Sequence, residues 1–301
     1  MPSGKEIRTK IASFQNTKKI TKAMEMVAAS KMRKAQDRMR AARPYSEKIR
    51  RLAANLSAAT LADYRHPFLA KSQPSQDAAG KAKRIGLILV TTDKGLCGAL
   101  NSNLLREAAK LDKDTTVYIC AGRKGSQFIA RTKRQLAAEF SYKDAPQFAE
   151  ARAISKFAQD LFLKGEVDRV DVLFTNFINT LTQKPEIRQL LPIGELTAVE
   201  AGVAGQGTAT SLKKSELEYL FEPGAATVLG NLLPHYLNFQ VFQFLLEAKA
   251  SEHSARMVAM KSATDNAKQL IKDLTLEYNK LRQANITKEL LEITSAAMAM
   301  G

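Results

Sequence analysis

The run Met257-Val-Ala-Met260-Lys-Ser-Ala-Thr264-Asp-Asn-Ala267-Lys-Gln-Leu-Ile271-Lys-Asp-Leu274-Thr-Leu-Glu-Tyr278-Asn-Lys-Leu281 decides the fold. Its apolar positions recur in alternating steps of three and four. The same register extends back through His253, Ala250, Leu246, Gln243, Phe239, Tyr236 and Leu232 to Leu229. Thirteen of these sixteen positions are apolar, too many for chance. A mean step near 3.5 residues is the mark of a left-handed coiled coil, because that spacing keeps one seam facing a partner helix. Pro234 falls in the first turns of this helix, where it is tolerated or makes a kink.

Such a helix needs a partner, and residues 1–60 supply one. Their apolar or small positions read Ile7, Ile11, Phe14, Thr17, Ile20, Met24, Val27, Lys31, Ala35, Met39, Ala42, Tyr45, Ile49, Leu52, Leu56 and Ala59. The step is again close to 3.5, with one break at Lys31. Pro44 removes a backbone hydrogen bond and should kink the helix.

Between the helices the pattern changes. Residues 61–83 form a linker that includes a Pro/Ser/Gln/Gly-bearing stretch, and 84–222 form an α/β domain. Ile85-Gly-Leu-Ile-Leu-Val90 reads as a buried parallel strand. Helices follow near 101–111 and 124–132, with a second strand at Thr116–Cys120 between them. A further helix covers roughly 148–164, and 170–177 with 185–191 read as a hairpin. This β-α-β-α order predicts a three-layer, Rossmann-like α/β domain inserted between two terminal helices that pair antiparallel, the second starting at 223. Residues 200–210, rich in Gly, Ala and Thr, read as a loop.

The two helices are unequal. At 1.5 Å per residue the first is about 84 Å long and the second about 110 Å. With their domain-proximal ends level, the second overhangs by about 17 residues, or ~26 Å, from near residue 284. Independently, the seam fails after Leu281. A new stripe in a different phase takes over: Ile286, Leu290, Ile293, Ala297 and Met300. From Ile293 onward no side chain is charged. The tip therefore has no partner helix within its own chain.

Composition excludes several classes. A 45% hydrophobic, 25% charged chain of 301 residues folds. The most apolar stretch, Leu229–Leu246, is interrupted by Asn231, His235, Asn238, Gln240 and Gln243, so no bilayer span is expected. The start lacks the apolar core of a secretion signal; a transit peptide is the alternative reading, set against its regular heptads. Cys97 and Cys120 read as two buried thiols in a reducing compartment. His66, His235 and His253 form no ligand pattern. Gly95-Leu-Cys-Gly98 and Gly122-Arg-Lys-Gly125 do not match a dinucleotide or phosphate loop and read as tight βα turns. No nucleophile–base or paired-acid motif stands out. The charge is uneven: residues 1–51 carry 15 Lys/Arg against 4 Asp/Glu, +11 of the total +16. That implies an acidic protein surface, a polyanion, or a solvated outer face of the coil. Beside the reading that the motifs below imply, two other classes stay open: a basic coiled-coil nucleic-acid binder, and a small α/β enzyme with helical appendages.

Three motifs narrow the choice. Ile286-Thr-Lys-Glu289-Leu-Leu-Glu292-Ile-Thr-Ser-Ala296-Ala297-Met-Ala resembles the C-terminal signature of the γ subunits of F-type ATP synthases. Lys5-Glu-Ile-Arg-Thr-Lys through Ala-Ser-Lys-Met32, running on into Arg33-Lys-Ala-Gln36, is similar to that family's first helix. Thr92-Asp-Lys-Gly-Leu-Cys-Gly-Ala-Leu-Asn101 is similar to its central-domain turn. The similarity covers essentially the whole chain. Ala296 and Ala99 depart from it, standing where the family usually has Gly. No cysteine pair of the chloroplast kind is inserted, which points to a bacterial-type member.

The resemblance implies a non-catalytic rotor without a cofactor. Its partners would be a ring of α and β subunits, the ε subunit and the membrane c-ring, with no nucleic acid. As part of this hetero-oligomer it would be peripheral to the cytoplasmic face of the bacterial inner membrane. By position, Lys22, Met24, Glu25 and Arg256 match the level that meets acidic β-subunit loops. Arg282, Gln283, Thr287 and Glu289 match the upper β contact. Tyr219, Leu220, Phe221 and Glu222 match the foot that meets ε and the c-ring. The stripe Ile286, Leu290, Ile293, Ala297 and Met300 would face an apolar sleeve of other subunits.

Overall fold

A computed structural model describes residues 3–60, 67–69, 84–193 and 224–300. They form helix α1 (Gly4–Thr60), a 3-10 turn η1 (Pro67–Leu69), and β1 (Ile85–Val90), α2 (Leu100–Lys110), β2 (Thr116–Ala121) and α3 (Arg123–Arg131). Then come β3 (Gln135–Phe140), α4 (Phe148–Leu163), β4 (Arg169–Phe177), β5 (Gln183–Leu191) and α5 (Ala225–Met300). The helices α1 and α5 run without interruption through Pro44 and Pro234. The chain divides into two compact units, residues 1–30 with 256–301, and residues 31–255.

The larger unit is built on a five-stranded sheet of order β3-β2-β1-β4-β5. The first four strands are parallel and β5 closes one edge antiparallel to β4. Period-two alternation sorts the strand residues onto two faces. Ile88, Val90, Ile119, Val172 and Phe174 pack against Ala151, Ile154 and Ala158 of α4 and Leu233, Leu237 and Leu245 of α5. Leu87, Leu89, Tyr118, Cys120 and Leu173 pack against Leu104 and Ala108 of α2 and Ile129 of α3. The result is helices, sheet, helices: the Rossmann-like three-layer domain expected. Sequence reading missed β3. Its residues are exposed or half-buried along an edge, so its side chains lack the apolar run that marked β1 and β2.

In the smaller unit, α1 and α5 pair antiparallel. A Cβ placed on Gly4 would lie 3.7 Å from Tyr278 and 3.8 Å from Leu281. Thr21 faces Thr264, their hydroxyls 2.8 Å apart. As numbering rises on one helix it falls on the other. On α5 the inward positions are Met260, Thr264, Ala267, Ile271, Leu274, Tyr278 and Leu281, as the spacing predicts.

On α1 the expected register is wrong between Thr17 and Lys31. The less exposed positions are Ile7, Ile11, Phe14, Lys18, Thr21, Met24 and Glu25, and Ala28, and the larger unit continues with Met32, Ala35, Met39, Ala42, Ser46 and Ile49. Thr17 and Lys31 are outward, and Ile20 and Val27 are 61% and 55% exposed. Tyr45 is 47% exposed yet packs edge-on against Phe239 of α5 at 4.8 Å, with the half-buried Ser46 beside it. The helix keeps a strict heptad, but its middle seam is polar and small. Thr264 donates to Thr21, whose hydroxyl donates onward to the Lys18 carbonyl. Small, mutually bonded side chains thus form the seam there, and the apolar bulk of Ile20 and Val27 is left outside. Tracking the largest apolar residue therefore slips the seam by one position.

The register is testable with neighbouring residues. Val27→Asn should change the denaturation midpoint by an amount equivalent to less than about 0.5 kcal/mol. Ala28→Asn, which forces an amide into the seam, should cost about 1–3 kcal/mol. A helical circular-dichroism melt in urea measures both.

Candidate functional site

A ligand-binding reading would place its site at the crevice where the sheet's connections diverge. β1 leads into α2 on one face, and its neighbour β4 is reached from α4 on the other. Ligands of open α/β sheets bind outside the strand C-termini at such a switch point. Here the turns after β1 and β2 occupy each other. Gly122 has φ 108°, and a Cβ there would stand 2.2 Å from the Thr91 carbonyl oxygen. Only glycine fits that approach. The N-terminal N–H groups of α3, which would otherwise receive a phosphate, are already committed. Arg123 N–H donates to Asp93 Oδ1 at 3.0 Å, Lys124 N–H to the Thr92 carbonyl at 3.1 Å and Gly125 N–H to Thr91 Oγ1 at 2.8 Å. Tyr142 Oη donates to the Thr91 carbonyl at 2.9 Å, and burial pushes its phenol well up in pKa. These glycines serve the packing of two turns.

The remaining polar candidates are structural. Cys97 and Cys120 are buried thiols outside any disulfide, and burial pushes Cys120 up to about 12, so it stays protonated. His235 Nε2 lies 2.8 Å from Tyr45 Oη. His253 is buried in α5, and His66 lies outside the described residues. Ala99 precedes α2 with φ −84°, a conformation open to any residue, so Ala in place of Gly is unstrained there. Among the described residues no cluster of His, Cys, Asp and Glu could hold a metal, and no helix is long and apolar enough to cross a membrane.

The surface that stands out belongs to the two long helices. In the smaller unit Lys22 and Glu25 form an ion pair at 3.0 Å, beside the half-buried Met24. Arg256 is half-buried on α5. From Arg282 to Met298 every residue of α5 is exposed, including Gln283, Thr287, Glu289 and Ala297. Within that stretch Ile286, Leu290 and Ile293 are 47%, 57% and 65% exposed. Ala296 is exposed too, so none of the described residues packs against it. The side chain of Met300, and all of Tyr219, Leu220, Phe221 and Glu222, lie outside the described residues. The overhang begins where the helix lengths predict, immediately past the level of Gly4.

Sequence reading did not anticipate a polar junction in the larger unit. There α5 buries Glu247, Lys249, Ser251, Glu252, His253 and Ser254 in succession. Lys249 pairs with Glu252 at 2.9 Å and lies over the Tyr142 ring at 4.6 Å. Ser251 and Ser254 donate to the carbonyls of Thr175 and Thr180. Asp144, on the loop between β3 and α4, meets Lys31 of α1 at 2.5 Å and Lys249 at 3.7 Å. The hydrogen bond from Lys31 leads in holding its carboxyl below the usual range, against a smaller effect of burial. A signal existed on α5, where charged residues crowd a seam otherwise apolar. None existed for Asp144, whose partners are more than a hundred positions away.

The comparisons agree on one family. The family model described as ATP synthase matches residues 3–300. The ATP synthase gamma chain of Azoarcus sp. (strain BH72) is 50% identical, with 100% of each chain covered. That of Opitutus terrae is 48% identical, with 99% of each covered. Among solved structures, a chain in the rotor of Euglena gracilis mitochondrial ATP synthase superposes with TM-score 0.62 at 19% identity, covering 94% of this chain and 98% of that one. A chain in the central stalk/c-ring structure of Tetrahymena thermophila mitochondrial ATP synthase gives 0.57 at 24% identity, covering 81% and 99%. At those identities the structures speak for the fold.

The interlocked turns after β1 and β2 make a testable claim. Gly122→Ala should cost more than about 2 kcal/mol, because the new methyl meets backbone and the φ is unfavourable. Gly95→Ala, with open space around its Cβ, should change stability by at most about 1 kcal/mol. Denaturant melts of the two variants provide the comparison.

Proposed function

The chain belongs to the ATP synthase gamma chain family, and on that footing we propose that it is the central-stalk rotor of an F-type ATP synthase. In this role it transmits rotation between a proton-driven c-ring and the catalytic sites on the β subunits, with no bond chemistry of its own. The coupling is one of binding energies. Each orientation of an asymmetric axle favours a different conformation at each of the surrounding sites, so turning it exchanges their nucleotide affinities. Residues 1–60 and 223–301 form the axle, 61–83 a linker and 84–222 the basal domain. The chain is held peripherally at the cytoplasmic face of the bacterial inner membrane through the c-ring.

The observation that carries this reading is the overhang. A helix that keeps seventeen consecutive exposed positions, several of them large and apolar, has a surface suited to a housing made by other chains. We assign Ile286, Leu290, Ile293, Ala297 and Met300 to an apolar sleeve in the α/β ring. Small or apolar side chains there leave few strong polar contacts to break during turning. Arg282, Gln283, Thr287 and Glu289 meet β-subunit loops just below it. Lys22, Met24, Glu25 and Arg256 meet acidic β-subunit loops at the lower level. The net positive charge of residues 1–51 is complementary to such loops and needs no nucleic acid. Tyr219, Leu220, Phe221 and Glu222 form the foot toward ε and the c-ring.

Purified with α and β subunits, the chain should co-assemble and sustain steady multisite ATP hydrolysis; failure to assemble overturns the rotor reading. Ile293→Asp or Ala297→Asp should lower assembly or coupling severely, since an unpaired carboxylate in an apolar sleeve is costly. Lys113→Asp, exposed on the sheet domain, should leave both near the wild-type level. Equal effects would argue against a sleeve.

A further inference from the structure

We propose that Asp144 is the torque-bearing tie by which the sheet domain grips both long helices, acting through Lys31 of α1 and Lys249 of α5. The inference rests on the rotor reading and adds a positioning residue to it. A rotor driven at its base must pass torque from the sheet domain into the helices. Apolar burial is non-directional, so it resists a helix turning about its axis or sliding along it only through the close fit of its side chains. Directional contacts do resist, because their energy rises steeply with displacement.

Such contacts are concentrated at one level of the larger unit. Asp144 places its Oδ2 against Lys31 Nζ and its Oδ1 toward Lys249 Nζ. One carboxylate on one short loop thus addresses both helices. Lys249 is itself fixed, being buried, paired with Glu252 and seated on the Tyr142 ring. Tyr142 is anchored in turn on the β1 turn through the Thr91 carbonyl. One turn along, Ala35 and Ala250 meet around Phe177 at the end of β4. Ser251 donates to the Thr175 carbonyl at 3.0 Å. The two helices are therefore held to the strand ends by polar contacts where a plain hydrophobic seam would have sufficed for stability. The buried pair Lys249–Glu252 is a poor way to gain stability and a good way to fix one register; Asp144 and Lys31, about half exposed, join it from the surface.

The test uses the whole ATP synthase with this chain replaced by variants, reconstituted in sealed vesicles. The readout is ATP-driven proton pumping divided by ATP hydrolysis, alongside assembly and thermal midpoint. Asp144→Asn should assemble and hydrolyse ATP at the wild-type rate, yet lose pumping per ATP as the opposing gradient grows. Asp144→Glu, which keeps the charge, should restore it. Lys31→Gln should reproduce the loss, and carries the test if Asp144→Asn fails to assemble. A role in stability alone would lower the thermal midpoint and leave the ratio intact. A wild-type ratio under load in both Asp144→Asn and Lys31→Gln, or in Lys31→Gln alone should the first not assemble, overturns the tie while leaving the rotor reading standing. Failure of the wild-type chain to assemble would instead remove the rotor reading, and the tie with it.

Discussion

Antiparallel pairing of two helices of unequal length is the constraint on which the rest of this protein depends. α1 has 57 residues and α5 has 76. With Gly4 set against Tyr278 and Leu281, residues 282–298 project without a partner among the described residues. No substitution within the overhang can change that, because it follows from 1.5 Å of rise per residue and the position of the first helical turn. The overhang's composition then becomes intelligible. Ala, Leu, Glu and Met favour a helix by propensity alone, and extension from an existing helix avoids the cost of nucleation.

The seam also divides labour along its length. Near Leu274, Tyr278 and Leu281 it is aliphatic and aromatic, and packing suffices. Around Thr21 and Thr264 it is small and hydroxylated, and a hydrogen bond joins the two helices. In the larger unit α5 changes character again and buries charge beside the sheet. Burying Lys249 is tolerable only because Glu252 and Asp144 accompany it, since an unpaired ammonium there would be expelled or neutralised. Polar residues are thus spent where register must be fixed, and apolar ones where surface only has to be covered.

Much of this was legible in the sequence. The three/four stepping from Met260 to Leu281 is set by the helix's own geometry, and the structure repeats it residue for residue. The hydrophobic strands β1 and β2 and the hairpin β4–β5 announced themselves for the same local reason. The slip at Ile20 and Val27 shows the limit of that logic. Hydrophobicity marks a seam only where the seam is hydrophobic, and a pair such as Thr21–Thr264 is decided by a residue 243 positions away. β3 was missed because an exposed edge strand carries no apolar run, and Asp144 because nothing local distinguishes it from any loop aspartate. The tip residues were found from pattern and length together. The β-subunit and foot contacts came from resemblance, since nothing in their spacing names a partner.

As a rotor, this chain must turn relative to its surroundings. The most direct measurement fixes an α/β ring to a surface and places a single optical label on the sheet domain, through Lys113→Cys in a complex whose native cysteines are blocked. On adding ATP, a rotor turns steadily in one direction with three dwell positions per turn, matching three β sites. A complex that assembles and hydrolyses ATP steadily while the label stays fixed, or only jitters about one angle, would contradict it.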